Sequence, residues 1–131
     1  MKLLEKFRSS PEWQSKDPVQ RATAVRSMSN STDKQELLSE IAFGDEDPSV
    51  RMEAVLRLED VDALVSVVRN ELDAGVRDEA EAVLSDLVIE TDDVSVTRPG
   101  VYEVLTDTNL VTVARSARLE SVSEAALAAL T

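Results

Sequence analysis

The sequence predicts an all-α protein built from stacked helical hairpins, and three observations carry that prediction. A short phrase recurs as Asp17-Pro18-Val19-Gln20-Arg21 with Ala24 and Val25, as Asp47-Pro48-Ser49-Val50-Arg51 with Ala54 and Val55, and as Asp73-Ala74-Gly75-Val76-Arg77 with Ala80. Its arginines stand 30 and then 26 residues apart, a period suited to a unit of two helices. Downstream, Val25 and Met28 recur as Val55 and Leu58 and then as Val83, Leu84 and Leu87, the i, i+3, i+4 spacing of a helix buried along one stripe.

Each element rests on local chemistry. Met1–Arg8 sets Leu3, Leu4 and Phe7 on one side of a short helix, a polar-faced cap for the first repeat, and Trp13 is expected to plug the first hairpin's core. Asp at the head of each phrase can accept from the orphan N–H groups of a helix, and Pro at the next position loses no helical hydrogen bond. First helices are therefore expected over 17–29, 47–59 and 74–90, with small Ala24, Ala54 and Ala80 letting neighbours approach closely. Second helices start at Thr32 or Asp33, through Leu37, Leu38, Ile41 and Ala42 to Gly44, and at Asp60, through Leu64, Val65, Val67 and Val68 to about Asn70. Thr91–Gly100, with Val and Thr alternating among turn formers, reads as a loop or brief extended piece before a short helix around Val101–Leu105. A weaker fourth copy appears when the segment from Thr106 is laid over that from Thr32. Leu110, Val113 and Ala114 fall near Leu37, Ile41 and Ala42, and Val122, Ala126, Leu127 and Leu130 match Val50, Ala54, Val55 and Leu58, with Ser123 in the place of the Arg. The expected organisation is one domain over 1–131, with a cap at 1–16 and repeats at 17–44, 45–72, 73–105 and 106–131, the last incomplete. A hairpin this short cannot bury its own apolar face, so stacking makes the core.

Composition narrows the chemistry. The chain has neither Cys nor His, which removes disulfides, thiolate zinc sites and the commonest general base. No apolar run approaches the ~20 residues of a membrane-spanning helix, and there is no secretory signal, so a soluble cytoplasmic protein is expected. Net charge is −12, unevenly placed: residues 1–44 sum to +1, while 45–107 set eighteen acids against Arg51, Arg57, Arg69, Arg77 and Arg98. An acidic middle repels phosphate backbones and attracts basic proteins.

The repeated phrase resembles the HEAT-like repeat family, whose α-hairpins carry a Pro near the start of the first helix and an Asp and Arg at set places within it. More narrowly, Trp13 ahead of Lys16-Asp17-Pro18-Val19-Gln20-Arg21 is similar to the N-terminal HEAT-like region of large bacterial proteins carrying a domain of unknown function. The resemblance covers about residues 13–131 and implies a right-handed α-solenoid of about four HEAT-like hairpins. It also implies a ladder of charges holding successive repeats in register, formed by Asp17, Arg21, Asp47, Arg51, Asp73 and Arg77. The uneven period, Ala74 in place of a third Pro, the 91–100 insertion and Ser123 depart from the family pattern.

The implied function is a non-catalytic protein-interaction scaffold, without cofactor, presenting a curved surface to a protein partner, a basic one where the acidic middle takes part. Exposed positions of the second helices and loops, Lys34, Glu36, Glu40, Asp62, Ser66 and Arg69, are the expected partner surface. The alternative is a nucleic-acid-associated HEAT-like module using a modest basic patch of Lys16, Arg21, Arg26 and Lys34, since some HEAT-like proteins bind DNA or are DNA glycosylases. Others attach bilins to proteins, but no residue here marks such catalysis. Pairs such as Glu79 and Glu81 are expected on solvated helix turns, where nothing tunes them for acid–base work. The acids of Gly44-Asp45-Glu46-Asp47 and Glu90-Thr91-Asp92-Asp93 lack calcium-loop spacing and read as caps and turns. The apolar end, Ala125-Ala126-Leu127-Ala128-Ala129-Leu130-Thr131, predicts either a longer chain or a last helix packed on a second copy.

Overall fold

Five of the helices among the described residues start on a side chain that accepts from an orphan backbone N–H group. In the computed structural model, which describes residues 12–28 and 32–131, Asp17 Oδ1 accepts from Val19 N at 2.9 Å, Asp47 Oδ1 from Ser49 N at 2.8 Å and Asp73 Oδ1 from Val76 N at 3.0 Å. These caps open α1 (Pro18–Arg26), α3 (Pro48–Val55) and α5 (Ala74–Glu90). Asp60 caps α4 (Val61–Asn70), and α2 spans Thr32–Gly44. A turn at Val94–Val96, capped by Asp93, precedes the short α6 (Pro99–Val104); α7 (Asp107–Ser116) starts on Thr106, and α8 (Glu120–Ala129) comes last. Among the described residues the chain is helical throughout, with no strand, and no helix is long and apolar enough to cross a membrane. The cap expected at Met1–Arg8 lies outside the described residues.

Two first helices are shorter than the periodicity suggests. α1 and α3 end at Arg26 and Val55, after which Met28, Arg57 and Leu58 bond backward by three residues in tight turns. The turn after α3 is held from outside: Gln35 on α2 donates to the Arg57 carbonyl at 3.0 Å and accepts from Glu59 N at 2.7 Å.

Packing sorts the helices into two rows. α1, α3, α5 and α7 contact one another in succession, as do α2, α4, α6 and α8, with close pairings across the rows at α2–α3, α4–α5 and α7–α8. The core lies between the rows and is continuous from Val25 and Leu38 through Val50, Val55, Leu64, Leu84 and Val101 to Val113, Val122 and Ala126. Ala54 and Ala80 are fully buried at the helix contacts, while in the first repeat that role falls to Ala22, and Ala24 is half-buried. Trp13 packs half-buried against the core beside Leu37 and Ile41.

The fourth copy is the place where alignment and structure part. Matching Thr106 to Thr32 puts α7 in the row of α2, yet α7 packs on α5, in the row of α1 and α3. The short α6 is the cause: it occupies a place in the second row, so the next helix falls back into the first. Apolar spacing alone does not distinguish the two rows, because a helix of either row buries the same kind of stripe.

Candidate interaction edge

Two of the three arginines of the repeated phrase, Arg21 and Arg51, build a repeated polar contact between successive repeats. Arg21 reaches into the next repeat and grips Asp45 with Nε and Nη2, at 2.9 and 3.1 Å, while Nη1 donates to the Ser15 carbonyl at 2.8 Å. Arg51 does the same one repeat on: Nε and Nη2 each lie 2.9 Å from a Glu71 oxygen, and Nη1 donates to the Asp45 carbonyl at 2.8 Å. Bidentate forks of this kind fix geometry as well as adding energy. Each acceptor also ties down its own loop, Asp45 taking Asp47 N and Glu71 taking Asp73 N.

The rungs therefore differ from the expected ladder. Asp17, Asp47 and Asp73 serve as caps at the heads of their own helices, and the carboxylates facing Arg21 and Arg51 are Asp45 and Glu71, each two residues before a cap. That spacing is visible in the sequence as an acid two places ahead of Asp47 and Asp73, but nothing local tells which of two nearby acids a fork will take. Arg77 has no rung: the residue two places before the Thr106 cap is Val104, and the Arg77 side chain stands exposed with no ion pair or side-chain hydrogen bond among the described residues.

The junction of α5 and α7 is held instead by Glu81. Its Oε2 accepts from Thr106 N at 3.0 Å, from Thr106 Oγ1 at 2.7 Å and from Asn109 Nδ2. Glu81 is buried, which corrects the expectation of a solvated turn: it lies on the face that α7 covers once α6 has shifted the rows. At the far ends of the first-row helices, Arg26 of α1 pairs with Glu53 of α3 at 2.8 Å, Arg57 donates to the Arg26 carbonyl at 3.1 Å, and Arg118 N, just after α7, donates to the Ile89 carbonyl of α5 at 2.8 Å. Periodicity gives no signal for Glu81 or Arg57, since neither position recurs.

These contacts set a pH response. Arg26 holds the Glu53 carboxyl below its ordinary 4.5. Burial pushes Glu71 up, but the Arg51 fork and the Asp73 N–H outweigh it and leave Glu71 also below 4.5. A carboxylate lowered on folding adds stability that is complete above its unfolded pKa and is lost as pH falls through the folded one. The stability gap between wild type and Glu71→Gln should therefore be constant from neutral pH down to about 5 and close below 4.5. Denaturant midpoints measured across that range check this, and a gap that widens on acidification contradicts it.

Beside the second rung lies a hollow of ≈ 260 Å³, lined by Ala42, Phe43, Val67 and Leu72 together with Asn70, Arg51 and Glu71. Phe43 is 48% exposed and Leu72 97%, so two large apolar side chains stand at the surface, one in the last turn of α2 and one on the loop after α4. Exposed apolar residues grouped in this way mark contact surfaces more often than isolated ones do. Leu72→Ser should change stability by no more than about 0.5 kcal/mol, because at 97% exposure almost no apolar contact is lost. A large loss of thermal stability in calorimetry would show that Leu72 packs internally.

The six expected surface positions divide. Lys34, Glu36 and Glu40 are exposed on α2; Asp62 pairs with Arg98 at 3.1 Å and Arg69 with Glu103 at 3.4 Å, both pairs solvent-exposed; Ser66 is half-buried. In the expected basic patch, Arg21 and Arg26 are engaged by Asp45 and Glu53, while Lys16 and Lys34 are exposed. Of the acidic turns, Asp45, Asp47 and Asp93 are committed to rungs and caps. No family model, no curated protein and no solved structure matches the chain.

Proposed function

We propose that this chain is a non-catalytic protein-interaction scaffold of the HEAT-like type, a right-handed α-solenoid of about four hairpins acting in the cytoplasm on a basic protein partner. The two rows of helices and the repeated Arg rungs support the solenoid reading, since each repeat contacts chiefly its neighbours.

One observation carries the choice of partner. Among residues 45–107, Arg51, Arg57, Arg69 and Arg98 are all consumed in ion pairs with this chain's own acids, leaving Arg77 without one among the described residues. Thirteen of the eighteen acids there, all but Asp45, Glu53, Asp62, Glu71 and Glu103, have no ion-pair partner among the described residues. The outward field is acidic, which favours a basic protein and opposes a phosphate backbone. The engagement of Arg21 and Arg26 removes half of the basic patch on which the nucleic-acid alternative rests.

The discriminating measurement is binding of a lysine-rich protein and of duplex DNA, each titrated against salt. The expected result is association with the basic protein that weakens as salt rises, and none with DNA at low salt. Tight DNA binding with a steep salt dependence would replace this reading with the alternative.

A further inference from the structure

We propose that the cleft between α6, α7 and α8 receives an amphipathic helix with an apolar face and basic flanks, supplied by the partner. The inference rests on the proposed basic partner and names that partner's contact element.

The cleft exists because α6 is too short for its place in the row. It has 6 residues where α2 has 13 and α4 has 10, so at about 1.5 Å per residue it leaves roughly a turn or more of the row unfilled. The resulting space is ≈ 670 Å³, larger than the hollow at Phe43 and within the usual size of ligand and peptide sites. Its lining includes Tyr102, Leu105 and Leu110, with Ala128 and Ala129 on α8. Both alanines are exposed, and their small side chains allow another backbone to come close, as at helix crossings. A trough with Tyr102, Leu105 and Leu110 at its buried base and Thr97, Glu103 and Asp107 among its polar lining fits an amphipathic helix that sets its i, i+3, i+4, i+7 face inward and its polar flanks outward.

Charge selects the occupant. Glu103 and Asp107 line the cleft, and no cation among the described residues does. Glu103 shares only a long, exposed contact with Arg69, and Asp107 has no ion pair among the described residues. A second copy of this chain would bring another net charge of −12 against this one, whereas lysines flanking an apolar face would meet these acids.

The test compares two synthetic peptides of equal length and charge, one with Leu at the i, i+3, i+4, i+7 positions among lysines and one with Ser there, by calorimetry and by backbone amide shifts. The leucine peptide should bind at least about tenfold more tightly, with shifts concentrated in 99–110 and 125–129. Ala128→Phe, a substitution at an exposed position that fills the cleft, should abolish that difference while leaving the serine peptide's binding unchanged. Equal binding of the two peptides, shifts centred elsewhere, or indifference to Ala128→Phe would overturn the cleft as the site and leave the basic-partner reading standing. Binding of neither peptide at low salt would overturn both. A dimer that Ala128→Phe dissociates and the leucine peptide cannot compete with would assign the cleft to a second copy and overturn the proposal.

Discussion

Glu81→Ala should destabilise the protein by about 3 kcal/mol, the largest effect expected of any single polar side chain here. One buried carboxylate oxygen serves Thr106 N, Thr106 Oγ1 and Asn109 Nδ2, so its removal strips partners from three donors at the start of α7 and leaves a void between α5 and α7. Each orphaned buried donor costs about 1–3 kcal/mol where water cannot replace the lost partner, and partial access of water to Thr106 moderates the sum. Glu81→Gln keeps one acceptor oxygen and should lose about half as much. The loss should be local in character. Repeat stability is close to a sum of neighbour terms, so α7 and α8 should open at lower denaturant than α1 to α5. Hydrogen exchange followed residue by residue checks this. Uniform loss of protection across all helices, or an unchanged denaturation midpoint, would show that Glu81 does not clamp this junction.

Arg51→Ala should cost about 2–3 kcal/mol, while Arg77→Ala should stay within about 0.5 kcal/mol. The two arginines hold the same place in the repeated phrase, so the contrast isolates the rung from the motif. Arg51→Ala removes the bidentate grip on Glu71 and the bond to the Asp45 carbonyl, and leaves the Glu71 side chain, 6% exposed, as a largely buried charge without its partner. Breaking a fully buried pair costs about 3–5 kcal/mol; the 16% exposure of the Arg51 side chain brings the expectation lower. Arg77 has no such partner to abandon. A double-mutant cycle between Arg51 and Glu71 should return about 1–2 kcal/mol of coupling. Additive single effects would mean that the rung is an ornament of the surface, and equal costs at Arg51 and Arg77 would place the stabilisation in the helix propensity of the side chain.

Particular residues show how much of this is legible in the sequence. The caps at Asp17, Asp47, Asp73 and Asp60 and the closing Gly44 obey rules acting within a few residues, and the boundaries differ where tight turns replace the last helical residues of α1 and α3 and where the short helix expected at 101–105 starts two residues earlier, at Pro99, inside the segment read as a loop. The acceptors Asp45 and Glu71 are half visible, as acids at one fixed distance before two of the caps. Glu81 is not visible at all. It sits among Asp78, Glu79 and Glu81 on one helix, and only the covering helix distinguishes it from its neighbours. The candidate cleft is equally hidden, because it depends on a missing length of helix.

By itself, then, the sequence determined the helical class, the starting points of the helices, the stripe each one buries and the acidic balance of the middle, since capping, periodicity and charge are properties of short segments or of sums. The tertiary structure alone decided which row each helix joins, which carboxylates Arg21 and Arg51 grip, which acid is buried and where a cleft is left open. Those outcomes depend on which surfaces meet. A six-residue helix in the second row is enough to move α7 to the other side of the core, bring Thr106 over Glu81, leave the Arg77 side chain without a carboxylate partner among the described residues, and open the space beside Tyr102.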